Sequence, residues 1–232
     1  MKYNDTMLIL AIDTSAPSGG ITLAEAENDA ARVIESAPIA GGTFSAQLVP
    51  TVAALLQRHG YTAKDLGGFA AATGPGSFTG LRVGLSAIKG LADVLRKPIA
   101  TLSVLEAMAL LSAGEGMVAA VLDAGRSEVF AGIYQLVNGG VATQHEELLP
   151  RSAFLERVRA AHPARAVTSD PAIARFASEA GISLELVPRP GSEAMAAIGA
   201  RKLFRGDTIS VEALDANYLR RSDAEIFFKG TR

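Results

Sequence analysis

The sequence predicts an α/β protein of two similar lobes, each a mixed sheet packed with helices. Two apolar runs lead to this prediction, because each ends in aspartate and is followed by short apolar segments separated by turn residues. The runs are Leu8–Asp13 and Met117–Asp123. Apolar residues at helical spacing follow both meanders, and a pattern that restarts half-way along the chain is typical of an internal repeat.

The composition describes a globular protein and excludes several kinds of site. The chain has 232 residues, 49% apolar and 20% charged, which gives room for one large domain or two small ones. The absence of cysteine excludes disulfides, zinc–thiolate sites and thiol nucleophiles. A formal net charge of −2 gives no general attraction to nucleic acid. The run Leu8–Ile12 is too short for a signal-peptide core or a membrane span, so we expect a cytoplasmic protein without membrane association.

The first lobe is predicted to begin with an antiparallel meander. The run Leu8–Ile12 is apolar throughout, which is typical of a central strand covered on both faces. Turn residues separate it from short strands at Ile21–Ala24 and Arg32–Ser36. A helix is then expected over about Ser45–His59. Pro50 lies inside this segment and predicts a kink or a later helix start.

The segment Gly74–Gly80 is the most informative stretch of this lobe. It joins a predicted strand, Phe69–Thr73, to a predicted helix over about 79–96. Its three glycines permit positive φ or close backbone approach, and Ser77 and Thr79 are suited to cap the helix. Because a helix N-terminus attracts anions, the loop is a candidate phosphate site. A tight turn that only redirects the chain is the alternative, and the local sequence leaves both open.

The helix after this loop is apolar over most of its circumference. Its polar side chains share one narrow stripe: Arg82, Ser86, Lys89, Asp93 and Arg96. The apolar surface that remains on this helix is larger than one face of a sheet would cover. Gly80, Gly84 and Gly90 permit a neighbouring helix to approach closely. We therefore expect a second helix to pack on it, either from a partner chain or from the same chain.

The second lobe is predicted to repeat this arrangement. The strand Ile99–Leu102 closes the first half, so we set the boundary after residue 102, with lobes 1–102 and 103–232. A helix is expected to begin after Ser103. The strands expected beyond it are 117–123, 128–137, 141–149, 164–168 and 182–187. The helices expected there are about 152–161, 171–180 and 192–205. The segment 207–232 is less regular, and its aromatic residues predict that it wraps back on the body or docks on another chain.

Several catalytic motifs are excluded by spacing. The glycine loop lacks the lysine of a Walker A motif. Ser77 lacks the flanking glycines of a nucleophile elbow. The three histidines, His59, His145 and His162, are scattered and form no metal-ligand pair, so we expect them at the surface.

The two aspartates at strand ends indicate a different kind of site. Together with glycine loops at helix starts, such aspartates form the nucleotide site of the actin-like ATPase class, which includes acetate kinase, sugar kinases, Hsp70 and actin. There, carboxylates hold hydrated Mg²⁺ and loop amides hold phosphates. Asp13 is the candidate for the first role, or else it caps the turn after its strand. Asp123 and Arg126 are expected at the cleft, as an ion pair or as ligand contacts.

Four segments occur in an order that resembles one known family. They are Ala11–Ser15, Gly74–Arg82, Leu122–Phe130 and Tyr218–Arg220. On these segments the chain is similar to the TsaB (YeaZ) family, and the similarity spans nearly its whole length. The resemblance implies the actin-like ATPase fold. It also implies a role in making threonylcarbamoyladenosine, at the adenosine 3′ of the anticodon in tRNAs that read ANN codons.

The resemblance also implies partners. Members of this family are non-catalytic scaffold or activator subunits that pair with the metal-binding transferase TsaD, and the small ATPase TsaE joins the assembly. On this basis tRNA is reached only through the complex, and the isolated chain is a candidate homodimer. The implied contact residues, on the two helices of the first lobe, are Phe44, Leu48, Val52, Leu55, Gly80, Arg82, Gly84, Leu85, Ile88 and Leu91. No catalytic or metal-binding residue is implied, and Phe44 stands where the family often has histidine.

Nucleotide binding is a separate expectation. The implied role requires no cofactor, but weak binding of ATP, ADP or GTP is compatible with the strand end and the loop. The candidate contacts are Asp13, Thr14, Gly74, Gly76, Ser77 and Thr79. The main alternative function is a stand-alone kinase of the same fold that uses ATP and Mg²⁺, and a further one is a metallopeptidase.

Overall fold

A computed structural model describes residues 6–27, 30–112 and 114–219. Backbone contacts divide the chain into two units. The first holds the described residues up to Ala107 together with Pro190–Ala216, and the second holds Met108–Arg189 together with the described residues from Asn217. This division differs from the predicted boundary after residue 102, because the chain returns to the first unit after Arg189.

The first unit is built on a five-stranded mixed sheet. Its strands are β1 (Met7–Asp13), β2 (Ser18–Glu27), β3 (Ala30–Ala40), β4 (Leu66–Gly74) and β5 (Ile99–Ser103). The order across the sheet is β3-β2-β1-β4-β5. The meander β1 to β3 is antiparallel, whereas β4 and β5 run parallel to β1. The fully buried central strand β1 confirms the interpretation of its continuous apolar run.

Two helices cover one face of this sheet. They are α1 (Phe44–Arg58) and α2 (Phe78–Leu95). Ser77 caps α2 by accepting a hydrogen bond from Gly80 N, as the sequence predicts. Pro50 lies inside α1 and the helix begins at Phe44, so the later start is not observed. The core beneath these helices includes Leu10, Ile12, Leu55, Phe69, Leu81 and Ile88.

The second unit repeats the topology. It contains α3 (Val104–Leu111, shared with the first unit), β6 (Gly116–Gly125), β7 (Glu128–Val137), β8 (Gly140–Pro150), α4 (Arg151–Ala161), β9 (Arg165–Thr168), α5 (Pro171–Glu179) and β10 (Glu185–Leu186). The order β8-β7-β6-β9-β10 has the same strand directions as the first sheet. Helices α4 and α5 pack over a core that includes Val121, Phe154 and Ile173. The predicted fold class, two actin-like lobes with a mixed sheet each, is confirmed.

One helix lies in a different unit from the one that the sequence suggests. The last helix, α6 (Ser192–Arg205), packs on the sheet of the first unit. Small residues permit this packing, because a Cβ atom on Gly199 would overlap the Cβ atom of Ala70. Ser192 Oγ, at the start of the helix, lies 2.8 Å from Thr22 Oγ1 on β2. The order of segments in the chain predicts that this helix belongs to the second lobe. In the structure it packs on the first sheet, where small residues of the helix and the strand fit together.

Smaller differences occur at element ends, and one segment is not described. The strand predicted over 182–187 is reduced to Glu185–Leu186. The helix predicted to begin at Ser152 begins at Arg151 and has Pro150 at its N-cap. The predictions for Arg220 and the following tail lie outside the described residues. No helix in the part of the chain that the structure describes has the length and apolarity needed to cross a bilayer.

Candidate functional site

The glycine loop lies directly on the turn that follows β1. Ser77 N donates to Ser15 O at 2.7 Å, which joins the loop to this turn. Gly74 has φ +108°, a conformation that L side chains rarely adopt, and the Gly74–Pro75 peptide is cis. The loop and the turn therefore form one packed structure at the N-terminus of α2.

Three glycines are required by this packing. A Cβ atom on Gly76 would overlap Ser15 O, and one on Gly80 would overlap Thr14 O. A Cβ atom on Gly84, one turn further along α2, would overlap Thr14 Oγ1. Because two of these obstacles are backbone oxygens, the first turns of α2 can approach β1 only where side chains are missing. The close approach of helix and turn thus accounts for these glycines without a ligand.

Asp13 is a buried carboxylate that accepts a hydrogen bond from the turn after β1. Its exposed fraction is 4%, and Oδ1 accepts from Ser15 N at 2.8 Å. Among the described residues no basic side chain forms an ion pair with it. Thr14 and Ile12 face Gly84 of α2. Since neighbouring strand residues point to opposite faces, the Asp13 side chain points to the other side of the sheet.

Asp123 has a different environment. Its Oδ1 accepts from Arg151 Nη2 at 2.9 Å, and Arg151 lies 5.8 Å from the ring centroid of Phe176. Arg126 and Ser127 adopt φ of 54° and 60° in the tight turn between β6 and β7. Arg151 is therefore a partner of Asp123, and sequence reasoning missed it because two strands separate them in the chain. The internal repeat could have indicated this pair, since Arg151 is the first residue of the helix that follows the second meander.

Most of the residues implied as partner contacts are core residues instead. Of the ten, eight are buried in the first unit: Phe44, Leu48, Val52, Leu55, Gly80, Gly84, Leu85 and Ile88. The six apolar side chains among them are at most 7% exposed. Arg82 is exposed and Leu91 is half-buried. The prediction for these eight residues is corrected, because they lie on the helix faces that cover the sheet. The stripe of a helix that is richest in apolar side chains packs inward.

The opposite faces of α1 and α2 carry a second apolar surface. We define the outer helix surface by its exposed and half-buried residues: Ala46, Val49, Pro50, Ala53, Val83, Ala87, Gly90 and Val94. Val49 is 60% exposed and Val94 is 80% exposed. No charged residue occurs in α1 before Arg58. At Gly90 a Cβ atom would meet no atom within 4 Å, so the fold itself does not require glycine there.

A small depression borders the N-termini of α1 and α2. It measures about 200 Å³ and is lined by Ala16, Pro17, Gly41, Gly42, Phe44, Ser45, Ser77, Thr79, Gly80 and Val83. This is below the range of about 300–1,000 Å³ usual for small-molecule sites. The Phe44 ring packs where Gly19 and Gly80 lack side chains, with 2.8 Å between its Cε1 and the place of a Cβ atom on Gly19. Phe44 therefore fills space that the turn and the loop leave open.

Charged groups gather at the other end of α1. Glu35 on β3 accepts from Arg58 Nη2 at 2.5 Å and lies 2.7 Å from His59 Nε2. The hydrogen bonds from Arg58 and then from His59 lower the pKa of the Glu35 carboxyl. Within the described residues no three or more histidine, aspartate or glutamate side chains gather in a way that suits a metal ion.

Comparison with known proteins assigns the family. A family model described as "TsaD: tRNA N6-adenosine threonylcarbamoyltransferase" matches residues 37–214. A Bacillus subtilis protein named tRNA threonylcarbamoyladenosine biosynthesis protein TsaB is 37% identical over 134 residues, which cover 57% of each chain. An Escherichia coli protein of the same name is 29% identical over 94% of this chain and 96% of its own. The chain belongs to the TsaB (YeaZ) group of this family.

The solved structures agree with this assignment. A crystal structure described as an uncharacterized protein with similarity to the peptidase YeaZ from Pseudomonas aeruginosa has a TM-score of 0.70. It is 26% identical, and the superposition covers 92% of this chain and all of the other. The predicted family is therefore confirmed, although the chain spans only about half of the B. subtilis relative in that alignment.

Proposed function

We propose that this chain acts in tRNA threonylcarbamoyladenosine biosynthesis as a non-catalytic subunit that binds a TsaD-type transferase through the outer helix surface. The observation that carries the proposal is the set of exposed and half-buried apolar residues on the outer helix surface, together with the absence of charged residues in α1 before Arg58, in a member of this family. Exposed helix faces of globular proteins are normally polar, so this one is suited to contact another protein.

A scaffold role is supported by the way the first unit uses Phe44 and the glycines of the loop for packing. Phe44 fills a space with an aromatic ring, and Gly76, Gly80 and Gly84 accommodate backbone and hydroxyl oxygens. None of these residues presents a nucleophile, a general base or a metal ligand. The residues that distinguish the loop thus serve to fix α2 against β1.

The kind of partner that we propose follows from the family to which the chain belongs. The family model that matches this chain is named for the transferase, so a transferase chain of the family shares its fold. Related folds present equivalent helices, and two such chains pair by placing these helices together, as in an isologous contact. The same surface serves a homodimer when the chain is alone. TsaE and tRNA then join through the assembled complex.

Paired substitutions on the outer helix surface test the proposal. The double variant V49E/V94E places two charges on exposed positions, so the monomer stays folded while pairing is lost. Co-expression with a tagged transferase, followed by affinity capture and by size-exclusion chromatography of the isolated chain, measures this. Val137→Glu in the second unit, also an exposed valine, is the control that keeps pairing. Full capture of the double variant would refute the assigned surface.

The pathway role has its own test. Threonylcarbamoyl transfer to tRNA is measured with the transferase in the presence and absence of this chain. A strong dependence on the wild-type chain, lost in V49E/V94E, is the expected result. Unchanged transfer without the chain contradicts the role even if the two proteins bind each other.

A stand-alone kinase is the second candidate, and Asp13 is the observation that favours it. A buried carboxylate without a basic partner is suited to hold a hydrated cation beside a nucleotide. Our proposal requires no cofactor and allows weak nucleotide binding. Calorimetric titration with ATP and Mg²⁺, together with an assay of ATP turnover by the chain alone, separates the two. Multiple turnover with a small-molecule acceptor would favour the kinase.

A further inference from the structure

The outer side of α2 carries four apolar or small residues in a regular order, which we call the outer stripe. They are Val83, Ala87, Gly90 and Val94, at steps of four, three and four residues. All four are exposed or half-buried. Steps that alternate between three and four residues form a narrow stripe that suits contact with one other helix. The outer stripe also has the same order of sizes from either end, because two valines enclose two small residues.

Gly90 is the residue of the outer stripe that packing within the first unit does not require. A Cβ atom there would meet no atom within 4 Å, and its φ lies outside the left-handed region. Gly80 and Gly84 of the same helix, in contrast, are packed against oxygens of Thr14. Glycine weakens a helix relative to alanine, so an exposed glycine without a local role is suited to the close approach of another chain.

Two opposite charges lie on the polar edge beside the outer stripe. Arg82 is exposed, and its guanidinium lies 3.8 Å from the ring centroid of Phe78. Asp93 is exposed near the other end of the helix and contacts Arg96 at 3.5 Å. Both side chains of this ion pair are more than half exposed, so it contributes little and Asp93 is able to exchange its partner.

We propose that the outer stripe binds α2 of a second copy of this chain, antiparallel to the first, with the two-fold axis between Ala87 and Gly90. This register places Val83 against Val94 of the second copy, and Ala87 against Gly90 of the second copy. The proposal rests on the use of the outer helix surface as an interface. It adds the orientation of the copies, the register of the contact and the residue at which the helices approach.

The charges favour the same arrangement. In the antiparallel register Arg82 and Asp93 of the second copy are offset by about 3 Å along the helix axis, because two residues of rise separate them. This offset is within reach of an arginine side chain, and the two-fold axis provides the contact twice. A parallel copy would place Arg82 beside Arg82 and Asp93 beside Asp93, and like charges that face each other oppose association. Charge complementarity therefore selects the antiparallel copy.

Single cysteines test the register, because the chain has no cysteine of its own. Val83→Cys and Val94→Cys are purified separately and mixed in equal amounts under mild oxidation. The mixture is expected to form disulfide-linked dimers at least about ten-fold faster than either variant alone, because the two copies of residue 83 lie about 16 Å apart along the axis, too far for a disulfide. Val137→Cys in the second unit, mixed with Val83→Cys, is the control that stays unlinked.

Charge reversal tests the same contact and leaves the outer stripe unchanged. Arg82→Glu and Asp93→Arg are each expected to raise the dissociation constant of the dimer about ten-fold, because two exposed ion pairs are lost. The double variant R82E/D93R restores both pairs and is expected to recover the wild-type value. Sedimentation equilibrium at low salt measures these constants, and circular dichroism verifies that each variant is folded.

Three results would overturn the proposal. Linkage of Val83→Cys or Val94→Cys with itself at the rate of the mixture contradicts the register, and so does a mixture that stays unlinked. A double charge reversal that is no tighter than the single ones contradicts the pairing of charges. All of these measurements use the isolated chain, whereas capture by the transferase tests the proposed function, so the failure of one is distinguished from the failure of the other.

Discussion

The two units share one sheet topology, yet the aspartates at the ends of their first strands have opposite environments. Asp13 is buried, points away from α2 and accepts a hydrogen bond from Ser15 N. Asp123 is partly exposed and paired with Arg151 at the start of α4. The two aspartates point to opposite faces of their sheets, because a shift of one residue along a strand turns a side chain to the other face. Similar sequence at equivalent strand ends therefore does not give an equivalent site.

The two units also differ in the helices that follow their parallel strands, α2 after β4 and α5 after β9. In the first unit α2 is pressed against the turn after β1, and glycines make that approach possible. In the second unit α5 begins after Asp170, whose Oδ1 accepts from Ala172 N at 2.8 Å. Both helices thus have a side-chain cap, Ser77 on α2 and Asp170 on α5, but the first turns of α2 also depend on glycines to approach β1. The helices of the first unit also present the outer helix surface.

A large effect is expected on the packing of α2. Gly80→Ala would drive a Cβ atom into Thr14 O, so we expect the free energy of unfolding to fall by about 1–3 kcal/mol. Gly90→Ala in the same helix meets no atom and should raise it by about 0.5–1 kcal/mol, because alanine favours helices. Urea denaturation measures both. Similar effects from the two substitutions would contradict the difference between a packed glycine and an open one.

The next effect concerns the two aspartates directly. Asp13→Ala leaves Ser15 N without its acceptor, which should cost about 1–3 kcal/mol. Asp13→Asn keeps an oxygen there and should cost much less. Asp123→Ala breaks only a partly exposed ion pair and should cost below about 1 kcal/mol. Equal losses for the two alanine variants, again by urea denaturation, would mean that the environments are alike after all.

Sequence reasoning succeeds where a pattern has only one structural solution. The apolar runs that end in Asp13 and Asp123 fixed the central strands, and turn residues fixed the meanders around them. The cap at Ser77 followed from its hydroxyl and its place before a helical pattern. These features depend on neighbours in the chain, so the chain alone contains the information.

The misassignments share another cause, since each depends on contacts between distant segments. A helix that is apolar around most of its circumference does not reveal which stripe faces its own sheet, so Leu85 and Ile88 were assigned to a partner. The helix from Ser192 returns to the first sheet because Gly199 fits against Ala70, a match across distant positions. The pair of Asp123 and Arg151 joins residues two strands apart.

The largest loss of stability is expected from placing a charge at a buried position of α2. Leu85→Glu buries a carboxylate in the first core and should unfold that unit or lower its stability by several kcal/mol, about 3 or more. Val94→Glu, at an exposed position, should change stability by less than about 0.5 kcal/mol. Thermal unfolding by circular dichroism distinguishes the two. A stable Leu85→Glu variant would restore Leu85 to a partner surface.

The smallest expected effect compares two equivalent charge clusters. In each unit a glutamate on the third strand pairs with an arginine of the next helix and with a histidine. Glu35 lies 2.5 Å from Arg58 and 2.7 Å from His59, whereas Glu147 lies 3.0 Å from Arg157 and 3.5 Å from His145.

Because these partners lower the pKa of Glu35 in the folded state, its contribution to stability is present above the ordinary value of 4.5 and is lost as pH falls through the lowered one. Glu35→Gln should therefore flatten the loss of stability in this acid range. At pH 7, Glu147→Gln should lower the urea midpoint less than Glu35→Gln does, since the contacts of Glu147 are longer. Urea midpoints at pH 7 for both variants, and from pH 6 downward for Glu35→Gln, check these expectations, and a larger change for Glu147→Gln at pH 7 would reverse the ranking that the distances give.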